Sequence, residues 1–186
     1  MAQKATPPST EPLTAHPGRR AFVIQRHRAR RLHYDFRLEI DGVLVSWAVP
    51  KGVTLDPSVR HLAVHVEDHS LDHADFEGVI PGGKSGGGDV IVWDHGTWEQ
   101  HAGDDARAAV DNGEIHVNLY GEKLRGRVVL IRTGDARDAR EQWIVLHKRD
   151  AAAIDGWDPE DHPRSVISGR TNDEVVAQWA ETDPHD

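Results

Sequence analysis

The sequence predicts a mainly β protein: a compact, closed or nearly closed antiparallel β-barrel of about eight strands with a few short flanking helices. Three observations carry this. Short runs of alternating apolar and polar residues recur from residue 21 onward, separated by stretches rich in Gly, Pro, Asp and Asn. Asp41-Gly42 joins two such runs and is favoured two-residue hairpin chemistry. Helical periodicity is confined to two short windows. Many short strands with few helices favour a sheet closed on itself, which leaves no unpaired edge.

The elements follow in order. Residues 1–18, rich in Pro, Thr and Ser, have little to bury and read as a disordered tail. "AFVIQ" is a short strand. "HYDFRLEI" and "VLVSWAV" flank Asp41-Gly42 as a hairpin, and "HLAVHVED" is a further alternating strand. "DVIVWD" and "TWEQH" read as a second hairpin turning at His95-Gly96. "EIHVNLY", "GRVVLIRT" and "EQWIVLHKR" complete the strands. One helix covers "DDARAAVD", closed by Gly113; another starts at Thr171, which stands at capping-box spacing from Glu174. The expected organisation is a tail over 1–18, one barrel domain over 19–170, and a C-terminal helix and tail over 171–186. The six tryptophans are assigned to packing.

Absence of cysteine excludes disulfides and thiolate chemistry. No N-terminal apolar run resembles a signal peptide and no stretch could span a bilayer, so the chain is read as cytoplasmic, with no membrane partner. Net charge is −9, yet residues 17–37 hold seven arginines and one aspartate. A basic edge on an acidic body suits a phosphate ligand approaching from one side. Thirteen dispersed histidines add weight to metal or phosphate chemistry.

The strand "LHYDFRLEI" carries the chemistry. Its apolar residues alternate with His33, Asp35, Arg37 and Glu39, so an imidazole, a carboxylate and a guanidinium share one face. His33 and Asp35 are spaced to reach one metal ion, and His27, across the turn "RHRARR", supplies a third ligand. Two imidazoles and a carboxylate leave coordination positions open and suit Mn, Fe or Zn. Arg37, next along the face, fits a bound phosphate or carboxylate. In "HVEDH", His65, Glu67 and His69 share parity; His69 is a candidate to bind or protonate a phosphate oxygen, with Glu67 orienting a histidine. "GVIPGGKS" fits the P-loop pattern literally, but a β-branched run follows it rather than a helix, so nucleotide hydrolysis is set aside. "HYD" also matches the His-x-Asp half of the iron-oxygenase facial triad, the main rival enzyme class; it needs a distal histidine downstream.

The blocks "FVIQRHRARRLHYDFRLEIDGVLVSWAVPKG", "LAVHVEDHSLDHADFEGVIPGG", "VIVWDHGTWE" and "HPRSVISGR" closely resemble the 3′-phosphoesterase domain of bacterial DNA ligase D. The resemblance implies a compact β-barrel that trims DNA 3′ ends in end joining with Mn2+, other divalent first-row metals being possible. A phosphodiesterase step removes a terminal ribonucleoside and a phosphomonoesterase step clears the remaining 3′-phosphate. It implies His27, His33 and Asp35 as metal ligands, with Arg37 and His69 holding the phosphate.

Three positions depart from the family pattern. His73 stands where a tyrosine is usual, His61 (beside Arg60) where a basic residue is usual, and Ser85 where an aromatic is frequent. Glu11, in the tail, is a candidate remnant of the family's charged N-terminal segment. Arg28, Arg30, Arg31, Arg60 and His61 are assigned to substrate binding and His73 joins the catalytic set. The expected partners are DNA or RNA–DNA primer–template 3′ ends, with ligase, polymerase or Ku-type end-joining proteins beside a monomeric, free-standing chain. The alternative from another class is a non-catalytic DNA-end-binding module of the same fold.

Overall fold

The computed structural model describes residues 19–82, 87–135, 137 and 140–182. Among these residues nine strands form one antiparallel sheet: β1 (Arg20–Arg28), β2 (Leu32–Ile40), β3 (Val43–Val49), β4 (Arg60–His69), β5 (Gly78–Ile80), β6 (Gly88–Gln100), β7 (Glu114–Gly121), β8 (Arg125–Arg132) and β9 (Glu141–His147). Their order is β1-β2-β3-β4-β9-β8-β7-β6-β5, and β1 also pairs with β6. That pairing closes eight strands into a barrel, with β5 laid beside the first part of β6. The expected mainly β barrel is the observed architecture.

Alternation decides what faces inward. Phe22, Ile24, Tyr34, Phe36, Leu38 and Ile40 enter the core with Trp47, Trp93, Trp98 and Trp143. The intervening residues of β1, β2 and β3 form the outer wall. There Val23, Leu44 and Val92 make a second small apolar cluster with Ala74 and Val166, which seats the segments around residues 74 and 166 on the barrel's outside. Trp179 lies outside the core assigned to the tryptophans; it is 40% exposed on the last helix.

Local signals explain most boundaries. Asp41 and Gly42 both have positive φ (52° and 79°), as a two-residue turn matched to strand twist requires. Helix α1 (Ala106–Asn112) starts at Asp105, whose side chain accepts from the Ala108 N–H, and stops at Gly113 in the left-handed region. Helix α2 (Asn172–Thr182) begins with a reciprocal capping box: the Glu174 N–H donates to Thr171 Oγ1 and the Thr171 N–H to Glu174 Oε2, both at 3.2 Å. Asn172 is buried and its amide donates to Asp89 Oδ2 at 2.7 Å, so the start of α2 is fastened to β6.

The hairpin expected at His95-Gly96 does not form. Residues 88–100 are one continuous strand. Gly96 is there for close approach: a Cβ on it would lie 2.1 Å from the Tyr120 carbonyl oxygen on β7. The strand bends instead at a register shift opposite Ile24 and Gln25. Of the P-loop lookalike, Gly78–Ile80 is strand and Lys84 and Ser85 lie outside the described residues, as do Glu11 and the whole 1–18 segment. No helix among the described residues is long and apolar enough to cross a membrane.

Buried Asp94 organises the turn after β7. Its Oδ1 accepts from the N–H groups of Glu122 (2.9 Å) and Lys123 (3.1 Å), and its Oδ2 from Leu124 (2.9 Å). Asp94→Asn keeps the shape but turns an NH2 group toward a backbone donor, leaving a buried N–H unpaired. The expected loss is about 1–3 kcal/mol of folding stability, read by urea denaturation at unchanged m-value. Wild-type stability in this variant would show that the turn forms without the carboxylate.

Candidate metal centre

Strands β1 and β2 are joined by a three-residue turn over residues 29–31, and their register sets His27 directly opposite His33, Gln25 opposite Asp35 and Val23 opposite Arg37. All six lie on the outer wall. His27 Nδ1 is 3.7 Å from Asp35 Oδ2, and His33 Nε2 is 3.3 Å from Asp35 Oδ1. One ligand atom from each of His27, His33 and Asp35 lies within 4.8 Å of the others. Among the described residues this is the one His/Cys/Asp/Glu group gathered tightly enough to hold a metal ion.

The rings are held from behind. His27 Nε2 is 3.2 Å from the Gly87 carbonyl, and His33 Nδ1 is 3.1 Å from the Arg31 carbonyl. A carbonyl only accepts, so each of these nitrogens carries the proton. The opposite nitrogen of each neutral ring then presents its lone pair toward Asp35, the arrangement in which an outer partner fixes a metal-binding tautomer. Two lone pairs and a carboxylate facing one point fit a cation. Without a metal, a proton meets part of this demand: burial lowers the His33 pKa, but Asp35 outweighs burial and the net shift is upward. Burial likewise raises Asp35, but His27, His33 and Arg37 outweigh it and hold the carboxyl far below the ordinary carboxylate range.

Arg37 is fixed by three contacts. Its Nε donates to Gln25 Oε1 and its Nη1 to Ser46 Oγ, both at 2.9 Å, and its Nη2 lies 3.4 Å from Asp35 Oδ2. A guanidinium has five N–H donors, so among the described residues two remain for a substrate oxygen. Gln25 and Ser46 were not singled out from the sequence. The signal for Gln25 was its place two residues before His27, on the same face.

His69 reaches this wall through a bulge. Leu44 pairs with His69 while Ser46 pairs with Val66, so β4 carries an extra residue there. The shared parity expected of His65, Glu67 and His69 is therefore broken. His65 turns inward, stacked on Trp47 with ring centroids 5.3 Å apart, and its carboxylate partner is Glu141 at 2.9 Å. Glu67 is exposed on the groove and makes no hydrogen bond to a histidine ring among the described residues, so the orienting role expected of it is not seen. Burial first, then the charge of Arg37, push the His69 pKa down, so its ring is neutral at neutral pH. His73, in a 3-10 turn (Leu71–His73), stands edge-on to His69 at 5.6 Å. These groups share a groove of about 400 Å³ whose apolar lining includes Val66, Phe76, Ile80 and Val90.

The remaining expected residues lie elsewhere. His61 has inward parity, with Nδ1 2.6 Å from the Gly52 carbonyl, and lines a separate groove at the barrel mouth with Trp157 and Pro159. Arg60 is exposed and does not line the metal groove. Arg28 pairs with both oxygens of Asp89 (2.8 and 3.1 Å) and with Asp173 (2.6 Å). Arg30 and Arg31, in the turn beside His33, are exposed.

Comparison with known proteins places the chain in a family. Residues 25–132 match the model of the DNA Ligase D 3′-phosphoesterase domain. The chain is 49% identical over 172 residues to the multifunctional non-homologous end joining protein LigD of Pseudomonas aeruginosa, a match covering 91% of this chain and 20% of that protein. It is 53% identical over 131 residues to the LigD DNA repair protein of Mycobacterium tuberculosis, covering 70% of this chain and 16% of the relative. Against LigD of Mycolicibacterium smegmatis it is 40% identical over 190 residues, covering 85% of this chain and 25% of the relative. The chain thus spans a quarter or less of each of these relatives, and it belongs to the DNA ligase D 3′-phosphoesterase domain family.

Proposed function

We propose that the chain is a Mn2+-dependent phosphoesterase that trims DNA or RNA–DNA 3′ ends during end joining, first releasing a terminal ribonucleoside and then the 3′-phosphate. The observation that carries the reading is the pair of imidazoles tied from behind to backbone carbonyls, their free nitrogens converging with Asp35 beside an arginine with two spare donors. His27, His33 and Asp35 would hold the metal, which supplies Lewis-acid stabilisation of phosphoryl charge and a more acidic water.

The chain's own groups account for the rest. Arg37 binds the non-bridging oxygens with its free N–H groups, where charge develops as a water oxygen attacks phosphorus and the ester P–O bond breaks. His69, neutral at neutral pH, donates a hydrogen bond to a phosphoryl oxygen. His73 presents an imidazole where the family's hydroxyl is usual. Exposed Arg30 and Arg31 meet the duplex backbone, whereas Arg28 is neutralised by Asp89 and Asp173. The test is a 3′-ribonucleotide-tailed primer–template with and without Mn2+. Metal-dependent nucleoside release is expected; end binding without products would leave the non-catalytic module.

Two substitutions separate the metal ligands from the phosphate holders. His33→Ala abolishes both steps and lowers metal affinity. His69→Ala leaves metal affinity unchanged and slows chemistry about 10²–10³-fold, the usual cost of one preorganised donor. Mn2+ titration calorimetry with rapid-quench assays checks both, and parallel loss of metal affinity in His69→Ala would place that ring among the ligands.

Protons and metal compete at His33. Its folded pKa is raised, so the ring is protonated below that value and cannot ligate. Mn2+ affinity should fall with decreasing pH through the raised pKa, by up to about tenfold per unit for one displaced proton. The sign for the metal-free fold is opposite: the stabilisation from the protonated His33–Asp35 pair is complete below the ordinary histidine value and lost as pH rises through the raised one. An affinity flat across this range would exclude the competition. Finally, neutralising Arg30 and Arg31 together should reduce the log–log salt slope of duplex-end binding by about two, at roughly 0.9 per phosphate contact. An unchanged slope, measured by fluorescence anisotropy, would show that the turn faces only solvent.

A further inference from the structure

Glu77 is nearly out of solvent, its side chain 6% exposed, on the segment between His69 and β5 that walls the metal groove. Its carboxylate is fully subscribed. Oε1 accepts from the Val92 N–H at 2.8 Å and from the Ser165 hydroxyl; Oε2 accepts from Ser168 Oγ at 2.6 Å and faces Arg170 Nη2 at 3.4 Å. The Ser165 hydroxyl is saturated in turn, because its oxygen also accepts from the N–H groups of Ile167 (3.1 Å) and Ser168 (3.0 Å). Ser165 N–H donates to the Arg170 carbonyl and Val166 N–H to the Val92 carbonyl. The turn over residues 165–170 is thus a rigid socket for one carboxylate, and it lies beyond the 25–132 family match.

The wall that Glu77 anchors reaches the site through Gln25. The Gln25 amide donates to the carbonyls of His73 (2.8 Å) and Phe76 (3.2 Å), and its oxygen accepts from Arg37 Nε. Both wall carbonyls take the NH2 end, which leaves the oxygen end for Arg37. Were the wall to lift, the Gln25 amide would be free to rotate and Arg37 would lose one of its three fixed contacts.

We propose that Glu77 and the 165–170 socket are positioning elements of the site: they pin the groove wall so that the Gln25 amide holds Arg37 in its phosphate-binding orientation. This rests on reading Arg37 as the phosphate holder. Glu77 touches neither substrate nor metal, and its own partners, Val92, Ser165, Ser168 and Arg170, include none of the three metal ligands.

The test is Glu77→Gln in the full chain, which keeps shape but places an NH2 group against donors. In 15N-labelled protein, the Arg37 Nε–H signal, assigned by its loss in Arg37→Lys, should shift and exchange faster with solvent. Mn2+ affinity should stay within about twofold, and kcat should fall roughly tenfold to a hundredfold with KM for the duplex end unchanged, as expected of a misplaced catalytic group. Because Glu77 acts through Gln25, Glu77→Gln combined with Gln25→Ala should lose no more than Gln25→Ala alone. Multiplying losses, or metal affinity and kcat falling together, would overturn the proposal. Should Glu77→Gln fold poorly, Ser168→Ala removes one socket hydroxyl and should move the same signal less far. If the wild type released no nucleoside, the reading as a phosphoesterase would fail, while the Arg37 Nε–H signal would still decide the clamp: an unmoved signal in both variants refutes it.

Discussion

The register of β1 against β2 is the constraint on which the rest depends. It places His27 opposite His33 and Gln25 opposite Asp35, so a metal-ligand set and the arginine's anchor come from one hairpin. A slip of one residue would carry every one of these side chains to the opposite face. The register is protected because Phe22, Ile24, Tyr34, Phe36 and Leu38 belong in the core, and exposing such a set would forfeit roughly 1.5–3 kcal/mol for each large apolar side chain. The same alternation that builds the barrel therefore builds the site.

A site on a barrel's outer wall faces a difficulty, since that surface is ordinarily open to water. Here the segment around residues 74–77 and the 165–170 turn settle on the small cluster of Val23, Leu44 and Val92 and turn an open wall into a groove. Asp35 and Arg37 become buried as a result, 7% exposed each. Burial strengthens the attraction between them and raises the demand for a cation between the two imidazoles and the carboxylate. Neutral His69 then stands beside a fixed positive charge without adding to it.

The legible part of the sequence was what alternation and turn chemistry encode. Residues 32–40 showed His33, Asp35 and Arg37 on one face; Asp41-Gly42 and the Thr171–Glu174 capping box marked real boundaries. Parity failed where the backbone departs from a regular ladder. The bulge between Val66 and His69 sends His65 inward and His69 outward, and a β-bulge leaves no clear signature in one sequence. Gly96 read as a turn because glycine marks both turns and close contacts, and only the partner carbonyl on β7 distinguishes them. The partners of Arg28 and His61 could not be read for a different reason: Asp89 and the Gly52 carbonyl are brought to them by tertiary structure. Glu77 was invisible for the same cause, its contacts lying up to 93 residues away.

The most direct measurement is diffraction from crystals soaked in Mn2+, with anomalous data collected at the manganese edge. A single strong peak within about 2.0–2.3 Å of His27 Nδ1, His33 Nε2 and an Asp35 oxygen is the predicted result, first-row metals taking nitrogen and oxygen ligands at such distances. A peak seated instead near His95 and His101, or at His65 and Glu141, or no peak at the triad, would contradict the account.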